Sequence, residues 1–138
     1  MLKMKLPTDL ELLQFIYKKY YHFYKSFSRE EKNRGTKIFV PISIEEIAKY
    51  FHIDEDIIFG RLYYYLEEKY GYQKKDGTYV FFFTTKAGAD KHCVNFPLLS
   101  SVLASLQEQN KKYWMTTVIA FYATLLAAIA IIISLMHH

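Results

Sequence analysis

From Asp9 onward, apolar residues return every three to four positions: Leu13, Ile16, Tyr20, Phe23 and Phe27 in TDLELLQFIYKKYYHFYKSF fall on one stripe, with Thr8 or Asp9 placed to cap the first turn. The spacing predicts an amphipathic first helix. The polar run Ser28 to Thr36 reads as a loop, and Lys37 to Ile42 as a short strand that Pro41 either ends or keeps at a sheet edge. Ser43 followed by Glu46 has the form of a capping box, and Ile44, Ile47, Ala48 and Phe51 make the inward face of a short second helix. His52-Ile53-Asp54 is the turn. Asp54, Glu55 and Asp56 then supply the acidic first turn of a third helix reaching about Lys69 or Tyr70, with Ile58, Leu62, Tyr65 and Leu66 inward and Gly71 as its stop.

Two aromatic and β-branched runs follow, Tyr72 to Lys74 and Tyr79 to Thr84, and Asp76-Gly77 between them predicts a hairpin. Thr84 to Gly88 is expected to leave the sheet, and Pro97 to open a final long helix from its first turn. From Trp114 to Met136 the chain carries no charge, no Pro and no Gly. As a helix that stretch is about 34 Å long, enough to cross a hydrocarbon core of about 30 Å. The predicted organisation is a domain over 1–97, an amphipathic linker helix over 98–113 and a transmembrane helix over 114–136.

A second pattern lies inside that helix. Thr116, Ala120, Ala123, Ala127, Ala130 and Ser134 alternate at spacings of four and three, so the small residues share one face. Extended backward, the same register meets Tyr113, Gln109, Leu106, Val102 and Leu99. Small faces let membrane helices approach closely, so the expectation is a parallel homodimer whose seam runs from Leu99 to Ser134. An Ala-rich span also gives such a row by chance, with Leu99, Val102 and Leu106 packing on the domain instead.

Charge sharpens the membrane reading. Every charged side chain lies at or before Lys112, so the formal net charge of +4 belongs wholly to the part before the apolar span. Lys111 and Lys112, then Tyr113 and Trp114, precede the span, whereas only His137 and His138 follow it. The positive-inside bias puts the N-terminal part in the cytoplasm, with the bilayer as a partner and the span as a tail anchor. The opening MLKMKLPTDL lacks the apolar core of a signal peptide. A single cysteine, Cys93, allows no internal disulfide and suits a reducing compartment.

The order helix, strand, helix, helix, hairpin over residues 37 to 88 resembles the winged helix-turn-helix superfamily. Ser43 to Lys49 looks like the first helix of the pair, Arg61 to Tyr72 like a recognition helix entering a wing, and Thr85-Lys86-Ala87-Gly88 is similar to the step that follows the wing in MarR-like regulators. The fold class expected is therefore mainly α with a small β-hairpin or sheet, followed by one long C-terminal helix. The resemblance implies that Phe59, Gly60, Arg61, Tyr63 and Tyr64 enter a DNA major groove, with Lys74 and Lys75 on the wing that touches the backbone or minor groove.

The third helix departs from what DNA requires. Asp54, Glu55, Asp56, Glu67 and Glu68 stand against Arg61 and Lys69, and no Asn or Gln is present for bidentate base reading. Exposed aromatic clusters such as Phe59, Tyr63 and Tyr64 are favoured protein-interface anchors. Phe59 and Tyr63 would otherwise pack under the wing or the last helix. The five histidines show no metal-ligand spacing, and Glu45-Glu46 and Glu67-Glu68 read as solvated helix faces. The reading is a non-enzymatic, cofactor-free membrane adaptor for an unidentified cytoplasmic protein. Its alternative is a membrane-tethered DNA-binding transcriptional regulator that uses Lys74 and Lys75.

Overall fold

The computed structural model describes residues 5–138; the expectation about a leader segment falls partly on 1–4, outside the described residues. The chain divides into two compact units, Met1–Ala104 and Ser105–His138, and is mainly helical with small antiparallel sheets.

In the first unit, α1 (Asp9–Lys25) begins at a reciprocal cap: the Glu11 N–H donates to Thr8 Oγ1, and the Thr8 N–H donates to the Glu11 carboxylate. Leu12, Leu13 and Ile16 turn inward. The far end of α1 is closed from a distance. Arg34, in the loop read as merely polar, is buried, donates to the carbonyls of Phe23 (2.8 Å) and Tyr24 (2.7 Å), and lies over the rings of Phe23 and Phe27. A planar fork of donors suits two free helix carbonyls, and the charge is favoured at that end of the helix dipole.

β1 (Phe39–Pro41) leads to α2 (Ile44–Phe51), whose N-cap is Ser43. α2 ends on His52 in the left-handed region (φ 57), where the Ile53 N–H reaches the Ala48 carbonyl and the His52 N–H that of Lys49. A Cβ is costly there and His52 is exposed. His52→Gly is therefore expected to raise stability by about 0.5–1 kcal/mol, measured as a shift in the thermal midpoint; an unchanged or lower midpoint refutes it.

The third helical stretch is α3 (Glu55–Gly60), a π-helical segment Arg61–Leu66 and α4 (Glu67–Tyr70) in succession. Ile58, Leu62 and Leu66 are buried, whereas Tyr65, expected inward, is 48% exposed. The wider π turn explains the difference: each residue advances less around the axis, so Leu66 stays on the inner face and Tyr65 swings off it.

β2 (Tyr72–Gln73) and β3 (Tyr79–Val80) form the expected hairpin at Asp76-Gly77. The YVFFFT run is not one strand. Phe82 and Phe83 are both fully buried, and the strand is interrupted at Phe81-Phe82. The residues expected to leave the sheet, Thr84 to Gly88, instead form β4 (Phe83–Ala87), which turns at Gly88 (φ 64) into β5 (Asp90–Asn95). β5 is central in a sheet of order β1-β5-β4, pairing Val40 with Val94 on one side and Phe83 with Val94 on the other. Pro41 sits on an edge strand, as its missing N–H requires.

α5 (Phe96–Met136) follows with no linker. Asn95, itself buried, accepts from the Leu98 N–H and donates to the Phe81 carbonyl, so one amide caps the helix and ties down the β3–β4 break. Phe96, Leu99, Val102 and Leu103 complete the core of the first unit. Of the seam residues expected from the sequence, Leu99 and Val102 are buried in the core of the first unit, whereas Ser101 and Ala104 on the same stretch of helix are exposed. In the second unit every residue from Gln107 to His138 is exposed, including Thr116, Ala120, Ala123, Ala127, Ala130 and Ser134, while Leu106 is half-buried. This helix is long and apolar enough to cross a membrane, with a mean hydropathy of 2.6 in its most apolar window.

Candidate partner-binding site

The residues singled out from the sequence lie on the third helical stretch and the first hairpin, and they do not share one environment. Tyr64 is 73% and Tyr63 43% exposed. Phe59 is half-buried: it stacks on Tyr63 at 5.3 Å between ring centres and meets Phe83 and His92 edge-on. Phe59 is thus the footing of the aromatic flank, seated on β4 and β5, and Tyr63 and Tyr64 are its accessible surface. His92 reaches Phe59 because its backbone is left-handed (φ 53), a kink inside β5 that aims the ring at the helix.

The Arg61 side chain, 25% exposed, is engaged by a carboxylate of the first helix. It donates through Nη2 (2.6 Å) and Nε (3.2 Å) to one carboxylate oxygen of Asp9 on α1. Lys69 approaches the other oxygen at 3.5 Å. The two cations of this stretch, Arg61 and Lys69, are therefore both held by Asp9. Its carboxylates differ in role as well: Asp54 caps the helix through the Asp56 N–H, Glu55, Asp56 and Glu68 are exposed, and Glu67 turns inward.

Glu67 corrects the reading of a solvated pair. One carboxylate oxygen accepts the N–H groups of Phe82 and Phe83, each at 2.7 Å, and the other accepts the Tyr79 hydroxyl at 2.9 Å. The carboxylate stands where a strand neighbour would, and so supplies acceptors at the break in the YVFFFT run. The bond to Glu67, aided by burial, pushes the Tyr79 phenol above its ordinary value. Gly71 is needed beside it, because a Cβ there would overlap Tyr79 Oη and the Glu67 carboxylate and come within 2.7 Å of the Glu67 carbonyl. Tyr79 and Phe81, both exposed, extend the aromatic surface beyond Glu67 with rings 4.7 Å apart.

Lys74 and Lys75 are exposed at the tip of the β2–β3 hairpin, where the Lys74 N–H donates to the Thr78 carbonyl and Gly77 has φ 92. That hairpin is a sheet separate from β1-β5-β4. The three-stranded sheet brings a different pair together: Lys86 and Lys91 are cross-strand partners, both exposed, beside the Gly88 turn. Cys93 is fully buried and its thiol is pushed up to about 11 by burial, so it stays protonated near neutral pH. Among the described residues no group of three or more His, Cys, Asp or Glu is gathered for a metal. No protein-family model, curated protein or solved structure matches this chain.

Proposed function

We propose that this chain is a membrane-anchored winged-helix protein that holds a cytoplasmic protein partner on the aromatic and acidic surface of its third helix. The observation that carries the reading is the capture of Arg61 and Lys69 by Asp9, which leaves that helix with exposed tyrosines and carboxylates. Such a surface repels phosphate and suits protein. Helix, strand, two helices and a closing hairpin support the winged-helix resemblance, with the hairpin at β4 and β5 rather than at 72–84. The exposed apolar helix, preceded by Lys111, Lys112, Tyr113 and Trp114, supports a single span with the first unit in the cytoplasm. The small face from Thr116 to Ser134 supports a parallel homodimer within the bilayer.

A photoreactive residue at Tyr64 in native membranes is expected to crosslink to a discrete protein, the yield falling at least tenfold when Tyr63 is Ala, since exposed aromatic anchors contribute about 2 kcal/mol or more. The chain itself is expected to resist extraction by alkaline carbonate. Crosslinking indifferent to Tyr63, or release by carbonate, refutes the reading.

The DNA-binding alternative has one observation in its favour. Like charges directly opposite in a hairpin destabilise it, and Lys86 faces Lys91 so; an anion would relieve them. Steeply salt-dependent binding of duplex DNA, abolished by Lys86→Glu and Lys91→Glu, would favour that reading over the adaptor.

A further inference from the structure

The other flank of the third helix carries a second surface. Ile57, Arg61 and Tyr65 fall at successive spacings of four along it, and Leu6 with Pro7, from the segment before α1, forms the facing wall of a cavity of about 480 Å³. Leu6 is 57%, Ile57 52% and Tyr65 48% exposed, so three large apolar side chains meet solvent around one groove. The groove continues past Ile53 and Ile57 to a second depression bordered by Asp54 and Glu55. Scattered apolar residues on a surface are ordinary, but a contiguous apolar groove with a polar rim marks a binding site.

Charge identifies the occupant. Of the cations bordering the groove, Arg61 shares the single Asp9 carboxylate with Lys69, which leaves one positive charge over, and Lys49 is paired with Glu45 at 3.0 Å. Asp54 and Glu55 remain, with Asp56 beside them, and three carboxylates exceed that charge and the half charge of a helix N-terminus together. The rim is thus negative on a chain whose net charge is positive. From Ile57 to Tyr65 the ridge is roughly 12 Å long, about two turns of a helix laid along it.

We propose that this groove binds a basic amphipathic helix of a partner protein, with apolar residues one turn apart seated among Leu6, Ile53, Ile57 and Tyr65, and Lys or Arg at its border facing Asp54 and Glu55. Neither Tyr63 nor Tyr64 lines the groove, so loss of one surface leaves the other testable.

The test uses the full chain in zwitterionic lipid nanodiscs, isoleucine methyl signals as the readout, and two helical 14-residue peptides of identical spacing as probes, one of Leu and Lys and one of Leu and Glu. The Leu/Lys peptide is expected to shift Ile53 and Ile57 while the core residues Ile16 and Ile47 stay in place, and the Leu/Glu peptide to shift none. Half-saturation is expected to rise at least tenfold for Ile57→Ser and for Glu55→Lys, both at exposed positions, with unmoved Ile16 and Ile47 signals reporting an intact fold. Equal affinity for Ile57→Ser, equal response to both peptides, or shifts confined to other residues would overturn the proposal. Ile57 signals that move with protein concentration in the absence of peptide would assign the groove to a second copy of the chain and also overturn it.

Discussion

Glu67→Ala is expected to lower the stability of the first unit by about 3–4 kcal/mol, because hydrogen bonds to a charged acceptor contribute about 1.5–3 kcal/mol each and the loss leaves half-buried donors without partners. The N–H groups of Phe82 and Phe83 both rely on that carboxylate, as does the Tyr79 hydroxyl. Single-domain stabilities are about 5–15 kcal/mol, so the variant loses a large fraction of what the fold has. Glu67→Gln keeps one acceptor oxygen but presents an amide N–H₂ to the remaining donors, and it should lose about half as much. Tyr79→Phe removes only one bond and should lose about 1 kcal/mol. The ranking Glu67→Ala, Glu67→Gln, Tyr79→Phe, read from thermal unfolding by near-ultraviolet circular dichroism, is the diagnostic result. A Glu67→Ala cost below about 1 kcal/mol would remove the carboxylate from its place in the sheet break.

Asp9→Ala is the second large effect, expected at about 2 kcal/mol. The Asp9 side chain is only 14% and that of Arg61 only 25% exposed, so the mutation strands a partly desolvated guanidinium rather than a surface charge. Asp9 also lies in the first turn of α1, where a negative side chain is favoured. Combining Asp9→Ala with Arg61→Met should recover part of the loss, since an apolar replacement removes the unpaired charge. The single variant has a further consequence for binding. With Asp9 gone, Arg61 and Lys69 are released onto the third helix, and weak, salt-sensitive affinity for duplex DNA or heparin should appear where the parent shows less. If Asp9→Ala changes neither stability nor polyanion binding, the pairing does not govern the character of this face.

The helices were legible in the sequence because their signals are local. Thr8 with Glu11, Ser43 with Glu46, the turn at His52 to Asp54 and the stop at Gly71 act over three or four residues. The hairpin at Asp76-Gly77 was legible for the same reason, as was the long apolar helix. The sheet was not. β5 reads DKHCVN, with Cys93, Val94 and Asn95 buried in succession, so it lacks the alternation that marks a half-buried strand. The break at Phe81-Phe82 depends on a carboxylate fifteen residues before Phe82, and no local pattern announces an acceptor at that range.

The site divides in the same way. Tyr63 and Tyr64 could be placed on the outer surface by helical spacing alone. Phe59 could not be separated from them without knowing that His92 and Phe83 lie beneath it. Arg61 read as a contact residue because Asp9, its partner, is more than fifty residues away in the chain. Arg34 was hidden in a polar run for the equivalent reason, its acceptors being the far end of α1. Leu99 and Val102 fit a seven-residue repeat whether the repeat faces a second helix or the domain core, and only burial distinguishes the two.

The central position of β5 sets an order of assembly. Among the described residues β1 finds its ladder partner roughly 55 residues downstream, at Phe39 with Asn95, so the sheet closes a long loop before the β1–β5 pairing is rewarded. A nascent chain that has emerged only as far as Gly88 can nucleate its helices and the β2–β3 hairpin, yet β1 and β4 still have no strand between them. A polypeptide truncated before Asp90 should therefore collapse into helical, aggregation-prone material, and maturation of the first unit should wait on synthesis of the segment just ahead of the apolar helix.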